Sequence, residues 1–224
     1  MPSFLAKEKL YQCVSQIRDE LGLPLNAVVT SAEALISRIP VLELDVIPIH
    51  NPALQGICCF GEGAQADIIL LNSNRSLSER NFDCMHEYIH LHEHRGKCKK
   101  TFYCYGKVRD TQNSYLEWQA NEGAAELLIP YKDFIPRFWT SYSYSSTIYP
   151  FDVCGSLADH YHVPQRVITI RLDSLAYEID QYRDGVRIDD IELLSRRQRE
   201  RRGINVTSYN ALLDFPRSWY SVIH

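Results

Sequence analysis

At 224 residues the chain is long enough for one sizeable domain, and its formal net charge of −4 lacks the basic excess of a dedicated nucleic-acid binder. An apolar content of 45% with 23% charged residues fits a packed globular core, and no apolar stretch approaches the ~18 residues of a membrane span. The opening MPSFLAKEKLYQ puts charges where a signal peptide needs its apolar segment, so a cytoplasmic location is expected.

Leu10, Val14, Ile17 and Leu21 recur at helical spacing, and Gly22 then Pro24 end that first amphipathic helix. TSAE (Thr30 to Glu33) has the form of a capping box and opens a short second helix through Ile36. In VLELDV apolar and acidic residues alternate, so Leu42, Leu44 and Val46 are expected on one face of a strand. GICCF and ADIILLN are two further apolar runs, and the GEGAQ between them suits a hairpin turn. SLSE (Ser76 to Glu79) is a second capping box, and the helix it opens should run to about Arg95 with Gly96 just beyond.

Seven cysteines (Cys13, Cys58, Cys59, Cys84, Cys98, Cys104 and Cys154) read as reduced, mostly buried thiols in an intracellular chain. Cys98 and Cys104 flank KKTFY in a basic loop expected from Lys97 to about Arg109, and their spacing matches no common zinc template. SYLEWQANEGAAELLIP reads as a long helix closed by Pro130. WTSYSYSSTIY (Trp139 to Tyr149) lacks helical periodicity and is expected to be an exposed loop. Two short helices broken near Val163-Pro164 should follow. In SRRQRERR (Ser195 to Arg202) the five arginines are expected on a solvated helix end.

The chemistry concentrates in CMHEYIHLHEH, residues 84 to 94. Residues four apart on a helix lie one above the other, so His86 and His90 can aim their imidazoles at one point. Glu87 reaches the space beside that point without being forced onto it. H-E-x-x-H thus offers two nitrogen ligands and a general base, the zinc metalloprotease arrangement. A Zn²⁺ held by three protein ligands keeps a fourth position for water, whose pKa falls toward ~7, and Glu87 would take the proton as the water attacks a peptide carbonyl. His92 and His94 are expected to be solvated.

A third ligand must come from another segment. Glu117 and Asn121 share one helical face in EWQANEGAAELLIP; Glu117 could supply an oxygen, and Asn121 could accept from the far N–H of a bound histidine. Ser114 stands three residues before Glu117, so that pair could instead form a capping box, and Glu122 and Glu126 are also acidic candidates. Tyr103, Tyr105, His160 and His162 are candidate transition-state donors that spacing does not rank.

HEYIH at 86 to 90 followed by EWQANEGAAELLIP at 117 to 130 resembles the paired motifs of the ImmA/IrrE family of metallopeptidases. ADIILLNSNRSLSERNFDCMHE and LADHYHVPQRVITIRLDSL are similar to the segments flanking them, so the resemblance covers about residues 5 to 175. It implies that Glu117 is the third metal ligand, in an α+β, zincin-like (gluzincin-type) fold with a small antiparallel sheet and a C-terminal helical part. On this reading residues 1–138 form the metallopeptidase domain, 139–150 a Ser/Tyr-rich loop, 151–178 a helix-turn-helix-like segment and 179–224 a tail. It also implies Zn²⁺, with Mn²⁺ or Fe²⁺ as alternatives, and a helix-turn-helix transcriptional repressor of a phage, mobile element or stress regulon as substrate. Direct nucleic-acid binding and membrane contact are not expected. Gly123 stands where the family usually has Phe, which is expected to loosen helix packing. The competing readings are an anti-repressor that binds without proteolysis and a DNA-associated regulator.

Overall fold

The computed structural model describes residues 6–96, 101–105, 112–145 and 152–214. Helix α1 (Lys7–Glu20) buries Leu10, Val14 and Ile17 on one side, and Gly22 with φ of 67° turns the chain away after it. Helix α2 (Ala32–Ile36) starts one residue later than the TSAE pattern suggests. Its cap is Ser31, whose side chain accepts from the Ala34 N–H.

Strands β1 (Leu42–Ile47), β2 (Leu54–Cys59) and β3 (Asp67–Asn72) are joined by an unexpected fourth, β4 (Thr101–Tyr105), within the segment read as a basic loop. TFYCY alternates intermediate or exposed with buried positions, and its inner pair, Phe102 and Cys104, faces the core. The flanking lysines mask this short alternation in the sequence. The sheet order is β1-β3-β2-β4: β2 pairs antiparallel with β3 and β4, as the GEGAQ turn implies for the first pair, while β1 runs parallel to β3. The sheet is therefore mixed, not wholly antiparallel, because the hairpin uses one edge of β3 and leaves the other to β1.

Helix α3 (Leu77–Glu93) crosses the sheet and packs against α4 (Ser114–Leu128), with Cys84, Met85 and Ile89 fully buried between them. Burying such a side chain contributes about 1.5–3 kcal/mol. The Ser76–Glu79 capping box that begins α3 is present in full. Gly123 faces Ile89 so closely that an added Cβ would meet its side chain at 3.2 Å, so the glycine brings the helices together rather than loosening them.

Helix α5 (Tyr131–Ser145) overturns the expected loop over residues 139–145; residues 146–150 lie outside the described residues. Tertiary packing overrides the weak propensity of this Ser/Tyr run. Phe134, Phe138 and Tyr142 recur every four residues and stack at 6.1 and 5.5 Å, and Tyr209 meets Phe138 edge-on at 5.5 Å. Helices α6 (Val153–Tyr161) and α7 (Gln165–Ser174) flank the expected break, where His162 adopts φ of 52° and Pro164 caps α7.

Residues 179–214 form further short helices; residues 215–224 lie outside the described residues. Helix α8 (Ala176–Arg183) is followed by a 3-10 turn, then α9 (Arg196–Arg201) and α10 (Tyr209–Asp214), with Asp180 accepting from the Tyr209 hydroxyl and the Thr207 N–H, both at 2.8 Å. In the arginine run Arg196 and Arg202 are exposed and paired with Glu200 and Glu192, whereas Arg199 is buried.

A buried ionic cluster ties the ends of the chain to α4. Arg171 donates to Tyr11, Glu122, Glu126 and the Ile129 carbonyl, and Lys7 donates to Glu178 at 2.8 Å.

Candidate metal centre

Helix α3 turns His86 and His90 toward Glu117 of α4 and Glu87 toward Gly56 of β2, and all three are buried. His86 Nε2 and His90 Nε2 lie 3.1 Å apart, while Glu117 Oε2 lies 3.4 Å from the first and 3.6 Å from the second. A triangle with these sides has a circumradius of about 2 Å, which is the length of a Zn–N or Zn–O bond. The donor set and its spacing therefore fit one small divalent cation.

Two alternatives for Glu117 are closed by what its neighbours do. The N-cap of α4 is Asn113, which accepts from Tyr115 and Leu116, so Ser114 and Glu117 do not form a capping box. Glu122 and Glu126 point away and belong to the Arg171 cluster. Burial raises the Glu117 pKa, but hydrogen bonds to His86 and His90 outweigh it and bring the carboxyl down to about 2.

Each histidine of the triangle has a partner on its far nitrogen. His86 Nδ1 is 3.2 Å from Asn121 Oδ1, and Asn121 in turn donates to the Glu117 carbonyl at 2.9 Å. His90 Nδ1 is 2.8 Å from His94 Nδ1, and His94 Nε2 is 2.9 Å from Gln119 Oε1. His94 is thus fully buried, contrary to the solvated position expected for it; α3 ends there and turns the ring inward beneath His90. His92 does sit near the surface, beside Glu20 and Glu93. The His90 ring stacks on Phe102 of β4 with centroids 4.2 Å apart.

Glu87 is fully buried, and among the described residues neither of its carboxylate oxygens has a hydrogen-bond partner. The Cys58 thiol lies beside it and favours the charged form. Burial, opposed by His86, raises the Glu87 pKa to about 7. Gly56 of β2 makes the space: a Cβ there would stand 2.9 Å from Glu87 Oε1. An orphaned carboxylate beside a cation-sized triangle of donors is the arrangement a water-activating base requires.

The Peptidase M78 model, described as the IrrE N-terminal-like domain, matches residues 47–173. The chain belongs to this family. Its matched span contains the whole donor triangle, Glu87 and the residues that partner His86 and His90. Among solved structures, a Mycobacterium tuberculosis transcriptional regulator is similar with a TM-score of 0.48 and 11% identity, over 75% of this chain and 47% of that one. This chain therefore spans about half the length of that regulator. No curated protein matches the chain.

Four features of this IrrE-like centre escaped the reading of the sequence. His94, Gln119, Phe102 and Cys104 carry no motif of their own, and only the turn at the end of α3 and the register of β4 bring them in. His94 at four residues beyond His90 was the one available signal. Among the candidate transition-state donors, Tyr103 and Tyr105 lie on the face of β4 opposite Phe102 and Cys104, and His160 stands beside Asp133 and Arg137. Cys98 lies outside the described residues.

Proposed function

We propose that this chain is a metal-dependent endopeptidase, with Zn²⁺ as the best-fitting ion, that cleaves a helix-turn-helix transcriptional repressor. The observation that carries the catalytic part is the buried, unpartnered Glu87 next to the His86, His90 and Glu117 triangle. A site meant only to hold a metal for structure needs no such base, and an orphaned buried carboxylate is costly to keep.

A divalent cation held by the three ligands would supply Lewis acidity and a water of lowered pKa. Glu87 accepts the proton of the attacking water and returns it to the leaving amine. Its raised pKa suits both halves of that cycle. Asn121 and His94 hold the two imidazoles in the tautomer that directs Nε2 at the centre. Zn²⁺ fits a set of two imidazoles and one carboxylate, which Mn²⁺ and Fe²⁺ also accept.

The repressor substrate is supported by the resemblance to the ImmA/IrrE peptidases and by membership of the IrrE-like family. The deciding experiment incubates the purified protein with the candidate repressor and follows the fragments. Glu87→Gln should retain metal and shape while cleavage falls by at least about 10²–10⁴-fold. Full biological activity in that variant would sink the enzymatic reading and leave the anti-repressor that binds without cutting.

A further inference from the structure

A second set of donors overlaps the first. His86, Glu87 and Cys104 each place a ligand atom within 4.8 Å of the other two, and all three residues are buried. His86 Nδ1 is engaged by Asn121, which leaves Nε2 as the nitrogen common to both sets, so the two describe one cation and not two. The Cys104 thiol donates to Gln55 Oε1 at 3.4 Å, yet its sulfur also lies within 4.8 Å of a Glu87 carboxylate oxygen. An attacking water must sit within reach of that same carboxylate for Glu87 to take its proton.

We infer that Cys104 is a fourth protein ligand that closes the metal centre in a resting state. This rests on the metal-binding reading above and adds regulation to it. A tetrahedral ion takes a thiolate at ~2.3 Å and a nitrogen at ~2.0–2.1 Å, which sets the two donors about 3.5 Å apart. A short inward shift of Cys104 would meet that separation. With four protein ligands the ion has no place for water, as in structural zinc sites, and Glu87 has nothing to deprotonate. Cys104 sits on β4, which is the edge strand and is held by β2 alone among the described strands. Opening the centre therefore needs only the Cys104 side chain to swing back toward Gln55, with β4 still paired to β2 and Phe102 still stacked on His90.

The test uses the full chain, stripped of metal and titrated with Co²⁺ under a phosphine reductant, so that no buffer thiol can bind. The wild type should show intense visible bands of a four-coordinate ion together with a near-ultraviolet thiolate-to-cobalt charge-transfer band. Cys104→Ser should keep the visible bands and lose the charge-transfer band, while Cys58→Ala keeps both. As a check without substitution, Zn²⁺ should slow alkylation of Cys104 in the wild type relative to Cys13, measured by peptide mass mapping. Visible bands without charge transfer in the wild type would overturn the inference and leave the metal centre standing. So would a charge-transfer band that survives Cys104→Ser. Failure to bind Co²⁺ at all would instead remove the metal centre itself.

Discussion

His94 Nδ1 stands 2.8 Å from His90 Nδ1, so one of these two nitrogens carries a hydrogen and the other does not. If His90 uses Nε2 as a ligand, its Nδ1 is the donor, His94 Nδ1 is the acceptor, and His94 Nε2–H donates to Gln119, which donates to the Tyr115 hydroxyl at 3.1 Å. Binding a cation therefore selects one arrangement of hydrogens along four side chains. Replacing His94 by Phe keeps the ring volume and removes the acceptor. Metal affinity should fall by about 10–100-fold with the helical circular dichroism unchanged, as read by competition with a chromophoric chelator. Unaltered affinity would show that His94 only fills space.

Burial of Glu87 gives metal-free protein a defined pH response. The unfolded carboxyl loses its proton near 4.5 while the folded one keeps it to about 7. The folded state then holds the extra proton, so stability falls as pH rises between these values and levels off above them. Glu87→Gln lacks this term. Relative to that variant, the metal-free wild type should lose on the order of 3 kcal/mol across the window, measured by urea unfolding at several pH values. Parallel curves for the two proteins would contradict the raised pKa.

Gly56 bears directly on the base. A methyl group at this position would stand 2.9 Å from Glu87 Oε1, 3.2 Å from its Cγ and 3.3 Å from the Leu70 carbonyl, and backbone cannot step aside. Gly56→Ala should destabilise the protein by about 1–3 kcal/mol and lower cleavage more than metal content. Equal losses of both would mean that the displacement reaches the ligands.

The cluster around Arg171 is a stability element remote from the ligands. Its guanidinium is fully buried and serves Tyr11, Glu122, Glu126 and the Ile129 carbonyl. Arg171→Met leaves two buried carboxylates without their cation, at a cost of about 3–5 kcal/mol in denaturant unfolding. Adding Glu126→Gln should recover part of that loss, since the two residues are coupled.

What could be read from the sequence follows how local each cause is. The caps of α3, the spacing of His86, Glu87 and His90, and the amphipathic face of α1 are set within a few turns of chain, and the motif pair pointed to Glu117, which the fold brings within 3.4 Å of His86 Nε2. Strand β4 is five residues long and takes its identity from pairing with β2, more than forty residues earlier. Helix α5 runs through a stretch poor in helix formers because Phe138 and Tyr142 find Tyr209. The burial of His94 depends on where α3 stops and on Gln119 arriving from α4. These outcomes are decided by partners distant in the chain, which no local pattern contains.

Helix α4 carries Glu117 on one side and, half a turn around, Glu126, whose counter-charge comes from a residue 45 positions later. During synthesis the ligand and the motif helix leave the ribosome well before Arg171 does. Until it arrives, seating α4 would bury Glu126 without its paired cation, which opposes fixing the third corner of the centre. On the function proposed above, the centre of a nascent chain is completed only once α7 has been made.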